Sequence, residues 1–510
     1  MNTSTQSYQD LTPLVNPKSI VLVGASDRAD SIGQRTLANL QEHSELKGPL
    51  YLVNPGKAEI AGQRCWPSVS ALPAEAAPEL AIVAVPAPGV LGVLKECGAR
   101  GVRFAIILSS GFGEAGDEGV KLQEQMMAIA KRTGLRLYGP NCPGLTNVNS
   151  RLGFTFSPAF AHDLKPGPIG LATQGGGLGR NVMQAMERGI GIGLWASTGN
   201  EVDLQVADFI HYMADASDIK VIVTLLEGIK DGAKFIRAVQ HATAMGKPVV
   251  ALKVGKSEYG AKAAQSHTAS LTGSAEVNSA VFKQLGVIEV DDIDELVDTA
   301  WLLARAMPGA NEGLAIYSSS GGTSALLADA VGSAGLTLPD FSDATTDVLR
   351  AALPDYAAIG NPVDTTAMVL SDAQLMPKTL RAVVRDPNIG MVLVPMALDY
   401  GAATARMSRD FVEAQLTSPV PILPIWMSDR LGEGYQLLVE HGFAPPRSVG
   451  KAIKAVRRWV DYGRWRRQAD LAYRPSFLDL PMQSAAGTTR SIPETVAKAR
   501  LAGAGIAVLP

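Results

Sequence analysis

The chain has 510 residues, 46% of them apolar, with 51 Gly and only 6% aromatics. That length points to three or four domains, and that composition to stacked α/β layers with glycine-rich turns. A formal charge of −3 argues against a nucleic-acid partner, and no apolar run approaches the ~18 residues of a membrane span. The three cysteines Cys65, Cys97 and Cys142 form neither a disulfide framework nor a zinc pattern, no metal ligand is picked out, and the N-terminus has no signal-peptide pattern. A soluble, cytoplasmic protein is expected.

In residues 1–150 the runs "SIVLVGAS", "PLYLVNP", "LAIVAVP", "FAIILSSG" and "RLYGPN" alternate with segments of helical length. Continuous Val/Ile/Leu runs closed by Gly, Pro, Asn or Ser read as buried parallel strands, giving a doubly wound, Rossmann-like domain. The loop "VGASDRADSIGQRTL" follows the first strand and opens a helix, with Gly24 and Ser26 allowing close backbone approach. It is a poor match to G-x-G-x-x-G. A dinucleotide site also needs an acid after the second strand, where this chain has Asn54-Pro55 and then Lys57. A cation without a carboxylate suits a phosphorylated nucleotide better than NAD. The turn "YGPNCPGLTN" ends the domain, and nothing basic lies near Cys142 in sequence, which favours packing over nucleophilic chemistry.

Residues 151–305 and 306–465 read as two copies of one α/β unit, offset by close to 160. "GPIGLATQGGGLGRNV" pairs with "EGLAIYSSSGGTSALL", "TGNEVDL" with "IGNPVDT", and "SDIKVIVTLLEG" with "PNIGMVLVPMAL". The first copy carries Glu227, Lys253, Lys256 and His267; the second has Ala397 and Trp426-Met427-Ser428-Asp429 at the positions aligned with the strand ends. One copy reads as active and the other as structural. Residues 466–490 read as a linker, and 491–510 as a capped helix, a Gly break and the start of a strand, the opening of a further domain.

His267 stands in "AAQSHTASLTGS", a small-residue loop with room to swing and to hold a modified imidazole. A phosphohistidine needs one unprotonated ring nitrogen, an acceptor fixing the other, and N–H donors for the phosphate. Glu227 ends a neighbouring strand on the ligand-binding edge of the sheet, and "TQGGGLG" (173–179) supplies a glycine-rich helix start on that edge.

The motifs "GASDRADSIG", "NPGK", "AVPAP", "GPNCPG", "TQGGGLG", "GNEVD", "LEGIKDG" and "SHTASLTG", in this order over nearly the whole chain, resemble NDP-forming (ADP-forming) acyl-CoA synthetases, relatives of succinyl-CoA synthetase. The resemblance implies a Rossmann-like CoA-binding domain followed by two flavodoxin-like domains, and conversion of a carboxylic acid, CoA and ATP to acyl-CoA, ADP and phosphate through acyl phosphate and phosphohistidine. It implies CoA contacts at Gly24, Ser26, Asn54, Lys57, Val85, Pro86, Asn141 and Cys142, with phosphate held by Thr173, Gln174, Gly175 and Gly176. On it His267 is the phosphohistidine and Glu227 its orienting acid. The chain departs from the family in having Thr-Gln-Gly-Gly where Ser-Gln-Ser-Gly is frequent, and in showing only the opening of an ATP-grasp domain. ATP/ADP and Mg2+ would then be bound by an ATP-grasp domain or subunit, and a homo-oligomer is expected. The competing readings are a non-catalytic CoA-binding or regulatory module, and an NAD enzyme, which the missing acid disfavours.

Overall fold

The computed structural model describes residues 8–162, 164–268, 274–469 and 493–503. The chain divides into two compact units, Met1–Gln468 and Ala469–Pro510. In the second, the described element is the helix Glu494–Gly503, none of whose residues is buried. It matches the helix expected in 491–510, while the strand expected after it lies outside the described residues.

The first unit is built on three sheets. Strands β1 (Ile20–Val23), β2 (Leu50–Val53), β3 (Glu59–Ile60), β4 (Gln63–Trp66), β5 (Leu80–Val83), β6 (Phe104–Ile107) and β7 (Arg136–Tyr138) form the first, in the order β3-β4-β2-β1-β5-β6-β7. All pairings are parallel except the small β3–β4 hairpin. Helices cover both faces, so β1, β5 and β6 are buried at every position and are written as unbroken apolar runs. The chain winds from β1 outward to β2, then returns to the other side of β1 at β5. The loops after β1 and β5 therefore part at a switch point.

The second sheet holds β8 (Gly144–Asn147), β9 (Leu152–Thr155), β10 (Ile169–Thr173), β11 (Ile192–Ser197), β12 (Val221–Leu226), β13 (Val249–Lys253) and β14 (Ile288–Val290), ordered β14-β13-β12-β10-β11-β8-β9. Its five parallel strands have flavodoxin-like order, with the switch point between β10 and β12. The β8–β9 hairpin adds antiparallel strands beyond β11. This corrects the boundary expected at residue 150: "GLTN" leaves the first sheet after the proline turn and is the first strand of the second.

The third sheet contains β15 (Leu314–Ser318), β16 (Val363–Asp364), β17 (Met391–Met396) and β18 (Ile422–Trp426), all parallel, in the order β16-β15-β17-β18. This repeats β11-β10-β12-β13, as expected of a duplicated unit. One apolar core runs between the copies, from Leu171, Val223 and Leu303 to Ile316, Leu327 and Leu393.

The helix Val449–Ala469 packs onto the domain: Arg458 pairs with the buried Glu295, Arg464 and Arg467 with Glu312, and Trp459 is buried. Local signals set many helix ends: Asp117–Thr133 has two acids in its first turn, Lys131 and Arg132 in its last, and Gly134 closing it at φ +78°.

Candidate functional site

The loops after β10, β12 and β13 converge at the switch point of the second sheet. Thr173 ends β10, and the next helix, Gly176–Met183, starts two residues beyond the buried Gln174. The Gln174 side chain is a four-bond clamp. Its Oε1 accepts from the backbone N–H of Glu227 (2.6 Å) and of Gly228 (3.0 Å), and its Nε2 donates to Glu201 Oε2 (2.7 Å) and to the Gly228 carbonyl (2.6 Å). The β10 loop is thereby fastened to the end of β12, just where Glu227 leaves the strand.

Three glycines at the turn are required by close contacts. A Cβ on Gly175 would stand 2.6 Å from Glu227 Oε1, one on Gly176 2.9 Å from the Pro143 ring, and one on Gly179 2.7 Å from the Trp195 indole. Around Gly177 there is open space. The Glu227 carboxylate thus lies against the start of a helix whose first N–H groups have no partner within the helix. Lys253, buried at the end of β13, donates to the carbonyls of Glu227 (2.8 Å) and Val254 (2.5 Å). Burial holds its pKa below the usual lysine value, with the Glu227 charge opposing that shift. Lys256 is paired with Glu289 (2.9 Å) and Asp291 (3.2 Å). These lysines border a cleft of about 650 Å³ whose other walls include Leu178, Asn181 and Gly260.

Two of the expected phosphate contacts need correction. Thr173 is fully buried, and its hydroxyl accepts from Trp195 Nε1 at 3.0 Å. Gln174 spends its amide on the clamp and its own N–H on Leu225. Both side chains support the turn from beneath, which leaves the backbone of Gly175 and Gly176 at the opening. His267 lies in the last turn of the helix Glu258–Thr268, not in a loop; its side chain and residues 269–273 lie outside the described ones. That helix follows β13 and begins at the same sheet edge.

Glu201 was missed by sequence reasoning. It is buried, at φ +50°, and accepts from Thr198 Oγ1 (3.0 Å), Val206 N–H (2.6 Å) and Gln174 Nε2. Burial raises its pKa, while these hydrogen bonds and Lys230 pull the other way. The available signal was the difference between the copies, Glu201 in "GNEVD" against Pro362 in "GNPVD".

The first sheet brings the other expected residues to one edge. Gly24, at φ +90°, packs against the loop after β5: a Cβ there would stand 2.6 Å from the Ala84 carbonyl oxygen. Such a crossing admits backbone only, and leaves a cradle suited to a phosphorylated ligand. Ser26 Oγ accepts from Arg28 N–H, and Lys57 pairs with Asp27 at 3.1 Å with both side chains about half exposed. Val85 and the exposed Pro86 lead into the helix Ala87–Ala99. Asn54 joins the two loops, donating to Ala25 and accepting from Gly56, and is a positioning residue. The Asn141 amide reaches Asn200 at 3.3 Å, tying the first sheet's turn to the second domain. Cys142 is corrected: its thiol is buried against the Ile107 carbonyl and pushed up to about 12 by burial, so only its backbone can face a ligand. Among the described residues no helix is long and apolar enough to cross a membrane.

Three family models match the chain in sequence order: a CoA binding domain over residues 18–147, a succinyl-CoA ligase like flavodoxin domain over 166–303, and a ligase-CoA domain over 314–418. The α subunit of the ADP-forming acetate–CoA ligase II of Pyrococcus furiosus is 34% identical over 450 residues, 86% of this chain and 96% of the subunit. The ADP-forming acetate–CoA ligase I of Archaeoglobus fulgidus is 38% identical over 455 residues, 88% of this chain and 63% of that protein. A solved structure of the dinucleotide forming acetyl-coenzyme A synthetase 1 of Ca. Korarchaeum cryptofilum, in complex with phosphate and ADP, superimposes with a TM-score of 0.83 at 29% identity, over 91% of this chain and all of that one. Relatives of this kind set aside the regulatory-module and NAD-enzyme readings. The chain belongs to the NDP-forming acyl-CoA synthetases, a family of ADP-forming acid–CoA ligases, and resembles their α subunits.

Proposed function

We propose that His267 carries the phosphoryl group in this chain, and that Glu227 and the turn at Gly175–Gly177 form the place where it is loaded. In the acyl-CoA-consuming direction, phosphate attacks the acyl carbonyl carbon and the CoA thiolate leaves, giving acyl phosphate. An imidazole nitrogen of His267 then attacks phosphorus, the bond to the acyl oxygen breaks and the carboxylate departs. The phosphoryl group passes to ADP as the P–N bond breaks. Glu227 holds the second ring nitrogen, fixing the tautomer and stabilising the charge that forms there.

The observation that carries this reading is the Glu227 carboxylate held against Gly175, beside a helix start with open space at Gly177. A helix N-terminus contributes only about 0.3–1 kcal/mol per exposed charge and up to about 2 when partly buried. The backbone N–H groups of Gly175 and Gly176 must therefore converge on the same phosphate. Coenzyme A lies along the loops after β1 and β5, with Gly24 and Ser26 lining it, Lys57 near a phosphate, and Val85, Pro86 and Asn141 on the further side. The nucleotide and its Mg2+ are held by an ATP-grasp partner, as a domain or a subunit, and the assembly works in the cytoplasm as an oligomer.

Mixed with an ATP-grasp partner subunit, the chain should form acyl-CoA and ADP from a carboxylic acid, CoA and ATP. Glu227→Gln should lower kcat with little change in the KM for CoA. Equal turnover by the variant would overturn the assignment of Glu227.

A further inference from the structure

The helices Val206–Asp215 and Gly232–Ala244 pack side by side on one face of the second sheet. Each starts at the edge that holds the glycine turn and runs back to the opposite edge, where the next strand begins. Their last turns therefore meet far from the chemistry, and there the fold gathers two histidines and an acid.

His211 and Asp215 stand four residues apart and share one face of the first helix. His241 comes from the last turn of the second. Asp215 Oδ1 lies 2.7 Å from His241 Nε2, and Oδ2 lies 3.9 Å from His211 Nδ1. One ligand atom from each residue lies within 4.8 Å of the other two. The imidazoles stack with centroids 4.2 Å apart at 14°, and the Tyr8 ring stacks on His211 at 3.9 Å and 16°. Lys247, whose charge reaches Asp215, spends its ammonium on the carbonyls of Met213 and Ala216.

We propose that His211, Asp215 and His241 bind one divalent transition-metal cation of the zinc class. Two imidazoles and one carboxylate suit zinc, copper or nickel, whereas calcium and magnesium take oxygen ligands. Tetrahedral zinc with bonds of about 2.0–2.1 Å sets its ligand atoms roughly 3.3 Å apart. Asp215 meets the two histidines through different carboxylate oxygens, at 2.7 and 3.9 Å, so rotation of the carboxylate and of the rings brings one atom from each residue to that spacing. Tyr8 and the helix packing limit how far the His211 ring turns, while the exposed Asp215 leaves a way in for the ion. Three protein ligands leave a position for water. The ion ties the ends of the two helices together and, through the His211–Tyr8 stack, fixes the Tyr8 ring.

The test uses tag-free full-length protein, treated with a chelator, desalted and titrated with zinc chloride in a calorimeter. The expected result is uptake of one equivalent with a rise in melting temperature. His241→Ala and Asp215→Asn should each weaken binding at least tenfold, with circular dichroism unchanged. Failure of the wild-type protein to take up one equivalent overturns the proposal whatever the variants do. So does one-equivalent uptake that persists in the double variant His211→Ala/His241→Ala, which would place the ion elsewhere.

Discussion

Replacing Gln174 with alanine removes the clamp that positions Glu227. Four hydrogen bonds go at once, stranding the N–H groups of Glu227 and Gly228, the Gly228 carbonyl and one oxygen of the buried Glu201 carboxylate. Three neutral bonds at about 1 kcal/mol each, and one to a charged group at about 1.5–3, sum to roughly 4.5–6 kcal/mol. Water entering the space left by the amide recovers part of this, so a net loss of about 3–5 kcal/mol is expected. For a domain of this size that is roughly 10 °C in apparent melting temperature. Phosphorylation should slow as well, because Glu227 loses the bond that fixes its backbone. Differential scanning calorimetry and a phosphorylation time course on one preparation read both effects. A shift below about 2 °C with an unchanged phosphorylation rate would refute the reasoning.

Gly175→Ala should leave the fold intact but largely abolish phosphorylation, because its Cβ displaces the Glu227 carboxylate, while Gly177→Ala should be nearly silent; equal effects in the same assay would contradict the geometry. Lys230→Met should raise the Glu201 pKa further, since the lysine charge helps keep that carboxylate ionised. A folded-state pKa above the unfolded one makes stability fall as pH rises from the ordinary glutamate range to the folded value, so urea titrations should show a larger penalty for this variant at pH 8 than at pH 5. Gly24→Val should eliminate CoA binding in calorimetry, both by its Cβ contact with Ala84 and by the strain at φ +90°, and the wild-type protein should bind CoA but not NAD.

Much of the architecture was legible because buried parallel strands are written as unbroken apolar runs, and because the duplication repeats its strand–turn–helix rhythm at a steady offset. Strand β8 was misplaced because "GLTN" carries no mark of the sheet it will join. Thr173 and Gln174 were read as phosphate ligands because adjacency to glycines does not reveal that one side chain meets the Trp195 indole and the other turns down to Gly228. His267 was read as a loop residue although "YGAKAAQSHT" is rich in helix formers; its small side chains were weighed for freedom of movement, and their helix propensity was overlooked. The acid beside the glycine turn was found, because an acid closing an apolar run at the C-terminal edge of a parallel sheet is a strong signal. Glu201 and the pairing of His211 with His241 depend on loop and helix contacts that no spacing rule encodes.

The central claim is that His267 is the phosphoryl carrier. The most direct measurement incubates the chain with an ATP-grasp partner subunit and γ-labelled ATP, then maps the label and tests its acid and base stability. The account predicts an acid-labile, base-stable phosphoryl group on His267, absent in His267→Ala and formed more slowly in Glu227→Gln. Label that persists in His267→Ala, or that maps to a serine, would contradict it.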